Sequence, residues 1–158
     1  MDLPPQVDKT ARELLEGKPH GVIAVSPDET VLQALKVMAE KDIGAVVVMR
    51  GESMLGIMSE RDCVRKVDLK GRAAANTRVR EIMTEQVVVA TPTNTVVQCM
   101  ALMKQRRIRH LPVVDGAKVL GVLSSRDVLE EIIAEEKGVL EDLQHEMIFY
   151  GGNTGGTY

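Results

Sequence analysis

The hydrophobic residues of the chain follow one pattern twice. Residues 22–67 lie over residues 87–132 without a gap, roughly 14 of the 46 paired positions are identical, and most other pairs exchange one aliphatic residue for another. Each residue of the first copy therefore corresponds to the residue 65 positions later, as Ser59 does to Ser124. A gapless match of this length predicts two copies of one structural unit.

The pattern inside each copy predicts the order strand, helix, strand, strand, helix. In the first copy an apolar, β-branched strand stops at Pro27. A helix follows, with Thr30 and Gln33 as its capping box and Gly44 placed to end it in a left-handed turn. An apolar hairpin then turns around Gly51, or around Gly116 in the second copy, and a short closing helix comes directly after it.

The predicted strands are apolar on both faces, so one copy cannot cover its own sheet. Packing two copies sheet against sheet, with pseudo-two-fold symmetry, buries the excess apolar surface. The predicted fold class is therefore α+β, with two β-α-β-β-α repeats at residues 8–68 and 78–135. The segments TARELLEG and VREIMT predict a short lead-in helix before each repeat. Residues 69–77 are small and polar, which predicts a linker with little share in the core.

Residues 130–150 predict one long helical extension, with Gly138 as a candidate break, and residues 136–158 contain the end of this helix and a flexible Gly-rich tail. The extension carries an apolar stripe at helical spacing, formed by Val139, Leu140, Leu143 and Met147. Such a stripe predicts packing on a partner subunit.

Composition and charge disfavour several classes of function. The chain of 158 residues is 44% hydrophobic, which predicts a packed interior. Its net charge of −3 and its 2% of aromatic residues do not favour nucleic acid as a partner. Cys63 and Cys99 stand outside any CxxC or Cys/His pattern, so we expect core residues and no metal. Without an apolar leader or a membrane-length apolar run, we expect no membrane contact and a cytoplasmic location.

One polar cluster occurs in both copies, as GIMSERD at residues 56–62 and GVLSSRD at residues 121–127. One interpretation is structural, since a Ser followed three residues later by an Asp caps a helix. The cap does not explain the glycine within each strand or the arginine beside the positive end of each helix. The other interpretation is a ligand site, in which the glycine admits the ligand, the arginine and helix end hold phosphate, and the carboxylate holds a ribose.

These features resemble a tandem pair of CBS domains, the Bateman module, over residues 8–135. The chain is similar to the small stand-alone bacterial and organellar plant members that carry SERD, RK, GR and EIMT, found here at residues 59–62, 65–66, 71–72 and 81–84. The segment IRHLPVVD is similar to one in the gamma subunit of AMP-activated protein kinase, with Arg109 and His110 in reversed order.

The resemblance implies clefts between the repeats for adenosine-containing ligands: AMP, ADP, ATP, NAD(H) or S-adenosylmethionine, with NAD(H) a candidate for the second cleft. Carried over, the serines contact phosphate or ribose, the aspartates hold the ribose diol and the arginines lie beside the phosphates. The adenine would meet the backbone around Val25–Pro27 and Ala90–Pro92, between aliphatic side chains. The expected ligand-binding residues are Ser59, Arg61, Asp62, Ser124, Arg126, Asp127, Arg109, His110, Val25, Pro27, Ala45, Pro112, Arg65 and Lys66. The expected aliphatic side chains are Val46, Ile57, Leu111 and Val122.

The two copies differ in charge where ligands would bind. The first copy has Arg65 and Lys66 where the second has Glu130 and Glu131, and only the second has Arg109 and His110 at the strand start. We therefore expect two clefts that differ in the phosphate content of their ligands. Arg107 is a further candidate because it is close in sequence to the cleft segment.

The leading hypothesis for function is a regulatory module that senses energy or redox state through an adenosyl ligand. The resemblance implies a homodimer of stacked modules that acts in trans on an effector protein. The alternative hypothesis is a ligand-free dimeric interaction scaffold, in which the repeated motifs are only helix caps. An enzyme is not expected, because the chain has no P-loop and no Ser-His-Asp arrangement in motif context.

Overall fold

The computed structural model describes residues 9–18 and 21–151, without the side chains of residues 139, 142–143 and 146–151. Its helices and strands follow the predicted order in the first repeat, while the second repeat lacks its first predicted strand. They are α1 (Ala11–Glu16), β1 (Ala24–Val25), α2 (Val31–Lys41), β2 (Ala45–Arg50), β3 (Ser53–Ser59), α3 (Glu60–Lys66), α4 (Val79–Ile82), α5 (Val96–Arg106), β4 (His110–Asp115), β5 (Lys118–Ser124) and α6 (Ser125–Gly151). The Gly-rich segment after Gly151 lies outside the described residues.

Each repeat contributes one small sheet. In the first, β1 pairs parallel with β2, and β2 pairs antiparallel with β3. In the second, β4 and β5 form an antiparallel hairpin. The first strand predicted for this repeat is reduced to one bridge between Ala90 and Val113, so the expected β-α-β-β-α order is complete only in the first repeat. Gly51 and Gly116 form the hairpin turns with φ of 61° and 60°, as predicted.

Two hydrophobic cores hold the repeats together, and each lead-in helix packs in the core of the other repeat. Ala11 and Leu14 of α1 precede the first repeat but lie in the second core with α5, β4 and β5. Val79 and Ile82 of α4 precede the second repeat but lie in the first core. The exchange joins the repeats, because separating them would expose both helices' apolar faces. Cys63 and Cys99 are buried, one in each core, as expected.

The two sheets cover each other on the faces that the helices leave open. Val46 and Val48 of β2 point into the first core. Ala45 and Val47 alternate with them and are also buried, although they belong to neither core. Strand alternation places them on the opposite face, where His110 of the second repeat lies against Gly44. This packing agrees with the predicted sheet-to-sheet arrangement.

Two glycines that were expected to end or break a helix do not do so. Helix α2 ends at Asp42 in the left-handed conformation (φ 53°), not at Gly44, because a short acidic side chain tolerates this region. Helix α6 continues through Gly138, since one exposed glycine costs only about 1 kcal/mol. Within the linker at 69–77 only Thr77 is buried; it is 1% exposed, and its carbonyl accepts a hydrogen bond from the Val31 N–H.

Of the apolar stripe predicted on the extension, only the side chain of Leu140 is among those described. It is exposed. The side chains of Val139, Leu143 and Met147 lie outside the described part of the structure, so the predicted contact stays a prediction.

Candidate functional site

Both repeated motifs fold into the same local structure, a reciprocal cap on a closing helix. In the first, the Asp62 N–H donates to Ser59 Oγ at 3.2 Å, and the Ser59 N–H donates to Asp62 Oδ2 at 2.9 Å. In the second, the Asp127 N–H donates to Ser124 Oγ at 3.1 Å, and the Ser124 N–H donates to Asp127 Oδ2 at 2.8 Å. The structural interpretation of the motif is therefore correct for both copies.

The two aspartates differ in what else they bind. Both oxygens of Asp62 are occupied: the Ser59 hydroxyl also donates to Oδ2, while Lys66 and the Thr84 hydroxyl reach Oδ1 at 2.9 Å and 3.3 Å. The Lys66 ammonium also donates to the Ile82 carbonyl at 2.9 Å. With a side chain only 12% exposed, Asp62 holds the chain's own groups together.

Asp127 keeps one oxygen open. The Lys18 ammonium lies 2.7 Å from Oδ2 and donates to the Val122 carbonyl at 2.9 Å. No described residue donates a hydrogen bond to Oδ1. Burial alone would raise the pKa of the Asp127 carboxyl, but the hydrogen bonds from Lys18 and from the Ser124 N–H outweigh it and lower the pKa. Asp127 is therefore an ionised carboxylate with a free acceptor.

The motif glycines are explained by the protein's own contacts. A Cβ on Gly56 would lie 2.7 Å from the Thr84 carbonyl oxygen, because residue 84 pairs with Ile57 along the edge of β3. A Cβ on Gly121 would lie 2.8 Å from Leu15 Cδ2 of α1. The prediction that these glycines admit a ligand is therefore wrong: the close neighbours are the lead-in segments that cross between repeats.

A cleft of about 840 Å³ opens between the two repeats beside the second motif. The C-terminal end of α2, the start of β2 and Glu60 form one wall, while the start of β4 and the second motif form the other. The charged and polar side chains that line it are Lys18, Lys41, Asp42, Glu60, Arg109, His110, Ser124, Ser125, Arg126, Asp127 and Glu130. Its apolar lining consists of Leu15, Ile23, Ile43, Ala45 and Val122.

His110 is a neutral group in this cleft. Burial lowers the pKa of its imidazole; Lys18 and Arg109 act in the same direction, while Glu60 and Asp127 partly oppose them. Its Nε2 would lie 3.0 Å from a Cβ on Gly44, so the ring packs against the first repeat's backbone. A neutral imidazole can donate or accept a hydrogen bond without adding charge.

The structure brings six of the expected ligand-binding residues together in the cleft. They are Ala45, Arg109, His110, Ser124, Arg126 and Asp127. The other eight are not among its lining residues: Ser59, Arg61, Asp62, Val25, Pro27, Pro112, Arg65 and Lys66. Val25, Pro27 and Pro112 are buried, and Ile23 lines the cleft where the segment at Val25 was expected. Of the expected adenine neighbours, Val122 lines the cleft, whereas Val46 and Leu111 are core residues.

Sequence reasoning missed Lys18, Glu60 and the end of α2. Lys18 carries no local signal, because it reaches the second motif only through the crossing of α1 to the other repeat. Glu60 was visible as the variable position of the first motif. Its carboxylate, however, faces the second motif's cleft, which only the packing of the repeats shows.

Neither a metal cluster nor a membrane-spanning helix is found in the part of the chain that the structure describes. Within residues 9–18 and 21–151, no group of three or more His, Cys, Asp or Glu side chains could hold a metal ion. No helix over the same residues is long and apolar enough to cross a membrane.

The fold and site together define a class of protein built from two α+β repeats with a cleft between them. Comparison with protein families gives the class a name: a model of the CBS domain matches residues 19–69 and 79–134. The chain belongs to the CBS-domain family. Paired CBS domains are generally regulatory, ligand-binding signalling modules.

Known relatives support this assignment. The chain is 38% identical over 121 residues to CBS domain-containing protein CBSX3, mitochondrial, from Arabidopsis thaliana, covering 73% of this chain but 59% of the plant protein. It is 43% identical to a structure described as a signal-transduction protein with CBS domains from Burkholderia ambifaria MC40-6, with a TM-score of 0.77 over 80% of this chain and 95% of the other. A hexameric CBS-CP12 protein from bloom-forming cyanobacteria is 29% identical, with a TM-score of 0.70 over 94% and 92%.

Proposed function

We propose that this protein is a regulatory module that binds one adenosine-containing ligand, such as AMP or NAD(H), in the cleft beside the second motif. The main observation in support of this proposal is the state of Asp127, which lines the cleft as an ionised carboxylate and has no described hydrogen-bond donor at Oδ1. A carboxylate in this state can accept hydrogen bonds from a ribose diol. Asp62, with both oxygens occupied, supports no such role for the first motif.

The cleft has room and lining for the rest of the ligand. A volume of about 840 Å³ falls within the range of small-molecule sites, which is roughly 300–1,000 Å³. Ile23, Ile43, Ala45 and Val122 offer aliphatic surface for an adenine ring. Arg109 and Lys41 have no ion-pair partner among the described residues and can contact phosphate.

The charge of the cleft favours a ligand with few phosphates. Lys18 pairs with Asp127, and Arg126 pairs with Glu130 at 3.0 Å. The remaining cations, Lys41 and Arg109, share the cleft with Asp42 and Glu60. Formal charges therefore cancel, and a highly charged triphosphate would gain less here than a monophosphate or a dinucleotide. This balance fits AMP and NAD(H) better than ATP.

The proposal includes a homodimer that signals energy or redox state to an effector protein in trans. Exposed apolar residues at corresponding positions support a symmetric contact: Leu32 and Val97 on α2 and α5, and Val64 and Leu129 on α3 and α6. A symmetric dimer uses the same surface on both copies, so apolar residues at symmetry-related positions suit such a contact. We propose no catalytic step and no metal.

Calorimetric titration with AMP, ATP, NADH and S-adenosylmethionine tests the proposal, with a matched pair of variants. Asp127→Asn should weaken AMP binding by about tenfold or more, since a hydrogen bond to a charged group contributes about 1.5–3 kcal/mol. Asp62→Asn changes the same cap in the other repeat and should leave affinity unchanged. The proposal fails if no adenylate binds below millimolar concentration, or if both variants lose binding equally.

The scaffold alternative is supported by the caps themselves, because both motifs are satisfied by the protein's own groups. It predicts that purified, denatured protein releases nothing that absorbs near 260 nm. It also predicts that adenylates do not raise the melting temperature.

A further inference from the structure

Helix α6 runs past the second repeat and leaves an apolar stripe uncovered. Ile133 and Leu140 lie seven positions apart, which places them on the same side of the helix. Their side chains are 49% and 58% exposed. Glu136 and Glu141 follow Ile133 by three and eight positions, so they lie on either side of the stripe and are exposed. We call these four residues the α6 face.

The α6 face extends along a stretch of helix that has little support from its own domain. Ile132 packs against the second core, and none of the described apolar residues after it does so. From Glu136 to Gly151 the helix continues for 16 residues, about 24 Å. Isolated helices of about this length are marginal in water, and Gly138 weakens this one further. Packing of its apolar side on a partner would stabilise it.

The α6 face is not part of the symmetric contact proposed for the homodimer. That contact uses apolar residues at corresponding positions of the two repeats, such as Val64 and Leu129. The residue 65 positions before Ile133 is Asp68, which is charged, and Leu140 lies beyond the matched region. The stripe therefore has no counterpart in the first repeat, and a different partner is needed to cover it.

Charge distinguishes between the possible partners. Residues 130–146 contain seven acidic residues and one lysine. Among the described residues, neither Glu136 nor Glu141 has an ion-pair partner. A second copy of α6 would bring like charges together. The ends of the chain offer no compensating charge, since residues 1–8 contain two aspartates and no lysine or arginine, and residues 152–158 contain no charged side chain. A basic partner would be attracted.

We infer that the α6 face binds a basic amphipathic helix of the effector protein. The apolar side of that helix would bury Ile133 and Leu140, while its lysines or arginines would pair with Glu136 and Glu141. The inference rests on the proposed function only in that it requires an effector. None of the four residues lines the adenylate cleft, so the two sites can be tested separately.

The probe is a synthetic peptide of leucine and lysine, about 18 residues or five helical turns long, whose leucines fall on one side of a helix. It is titrated into the full chain at fixed ionic strength and followed by fluorescence anisotropy. A peptide of the same composition in scrambled order has the same charge but no apolar side. The amphipathic peptide should bind, and the scrambled one should bind at least tenfold more weakly.

Two variants of the α6 face are compared with matched changes elsewhere. Leu140→Gln, which keeps helix propensity, should weaken binding of the amphipathic peptide about tenfold, because a buried leucine contributes at least that factor. Leu69→Gln removes another exposed leucine and should have no effect. Glu141→Lys should weaken binding about threefold, whereas Glu52→Lys, at an exposed hairpin turn, should not.

Asp127→Asn separates this inference from the proposed function. It should weaken AMP binding and leave peptide binding intact, and Leu140→Gln should do the reverse. If wild-type protein binds the peptide but not AMP, the proposed ligand is wrong and the inference stands. The inference is overturned if both peptides bind equally or if Leu140→Gln retains full affinity. A lower molar mass of Leu140→Gln in sedimentation would also overturn it, because a second copy would then cover the α6 face.

Discussion

The imidazole of His110 lies against the backbone of Gly44 across the interface of the two repeats, with Nε2 3.0 Å and Cε1 3.1 Å from the position a Cβ on residue 44 would take. Because Gly44 of the first repeat has no side chain, the His110 ring of the second repeat can occupy the space beside it. Position 44 is thus restricted by a contact from the other repeat and not by its own dihedral angles, since its φ is not positive.

Gly44→Ala should destabilise the protein by about 1–2 kcal/mol, because an added methyl group in a packed interface forces the ring to move. Urea unfolding measures the change. Gly21→Ala is the matched control, because nothing lies within 4 Å of its Cβ position, and it should be neutral. In a His110→Ala background the cost of Gly44→Ala should disappear; a cost that stays the same would show that the ring is not the cause.

The sequence predicted those features of the structure that depend on local patterns. The two repeats, the capping boxes at Thr30 and Thr95 and the hairpin turns are local patterns, and all were predicted and confirmed. The sequence also marked Asp127, Arg109 and His110 as site residues, because the repeat singled out the motif and the charge difference singled out the strand start.

The parts that sequence reasoning missed depend on contacts between distant segments. No local pattern indicates that α1 packs on the second repeat. The ion pair of Lys18 with Asp127 and the close contact of Leu15 with Gly121 could therefore not be predicted from the sequence. The glycines of both motifs were explained by a ligand, although the protein's own chain is what approaches them. Local motifs predict elements and caps, whereas packing decides which copy's aspartate keeps an oxygen without a donor.

The two motif glycines provide a second prediction, since their neighbours differ in flexibility. The Cβ of Gly56→Ala would meet the backbone oxygen of Thr84 at 2.7 Å, which cannot move without breaking its pairing with Ile57. The Cβ of Gly121→Ala would meet only the end of the Leu15 side chain at 2.8 Å. Chemical denaturation should show a loss of about 3 kcal/mol for Gly56→Ala and about 1 kcal/mol for Gly121→Ala.

Shortening Leu15 distinguishes the two causes. In Leu15→Ala protein, Gly121→Ala should add no further loss, because the clashing methyl groups are absent. Gly56→Ala should cost the same with or without Leu15. If instead the two glycine variants are equally destabilising in the wild-type background, backbone rigidity at Thr84 is not the deciding factor.

Lys18→Met tests the electrostatic role of the ion pair at the cleft. Lys18 lowers the pKa of Asp127, so the pair stabilises the folded state above the unfolded pKa of about 3.9 and is lost as pH falls through the lower folded value. Removing the ammonium should raise the Asp127 pKa, measured by its carboxyl carbon shift in an NMR titration. Lys36→Met, an exposed lysine elsewhere, should leave that titration unchanged. An unaltered pKa in Lys18→Met would contradict the pairing.

His110 gives a pH dependence of the same sign as the Lys18–Asp127 pair, but near neutrality and not in acid. Its folded pKa is lowered by burial, with Lys18 and Arg109 adding to the effect and Glu60 and Asp127 opposing it. His110 therefore takes up a proton at about pH 6.5 in the unfolded chain but stays neutral there in the folded chain. The free energy of unfolding should fall as pH drops from about 7.5 through 6.5 towards the folded pKa.

Unfolding free energies of wild type and His110→Gln, measured at several pH values between about 7.5 and 5.5, test this expectation. The variant should lose less stability on acidification, because glutamine has no proton to gain. His145→Gln is the control, since that side chain is exposed and should leave the wild-type slope unchanged. Since the ring also lines the cleft, bound phosphate should raise the His110 pKa and flatten the wild-type curve. A slope that His110→Gln leaves unaltered would place the titrating group elsewhere.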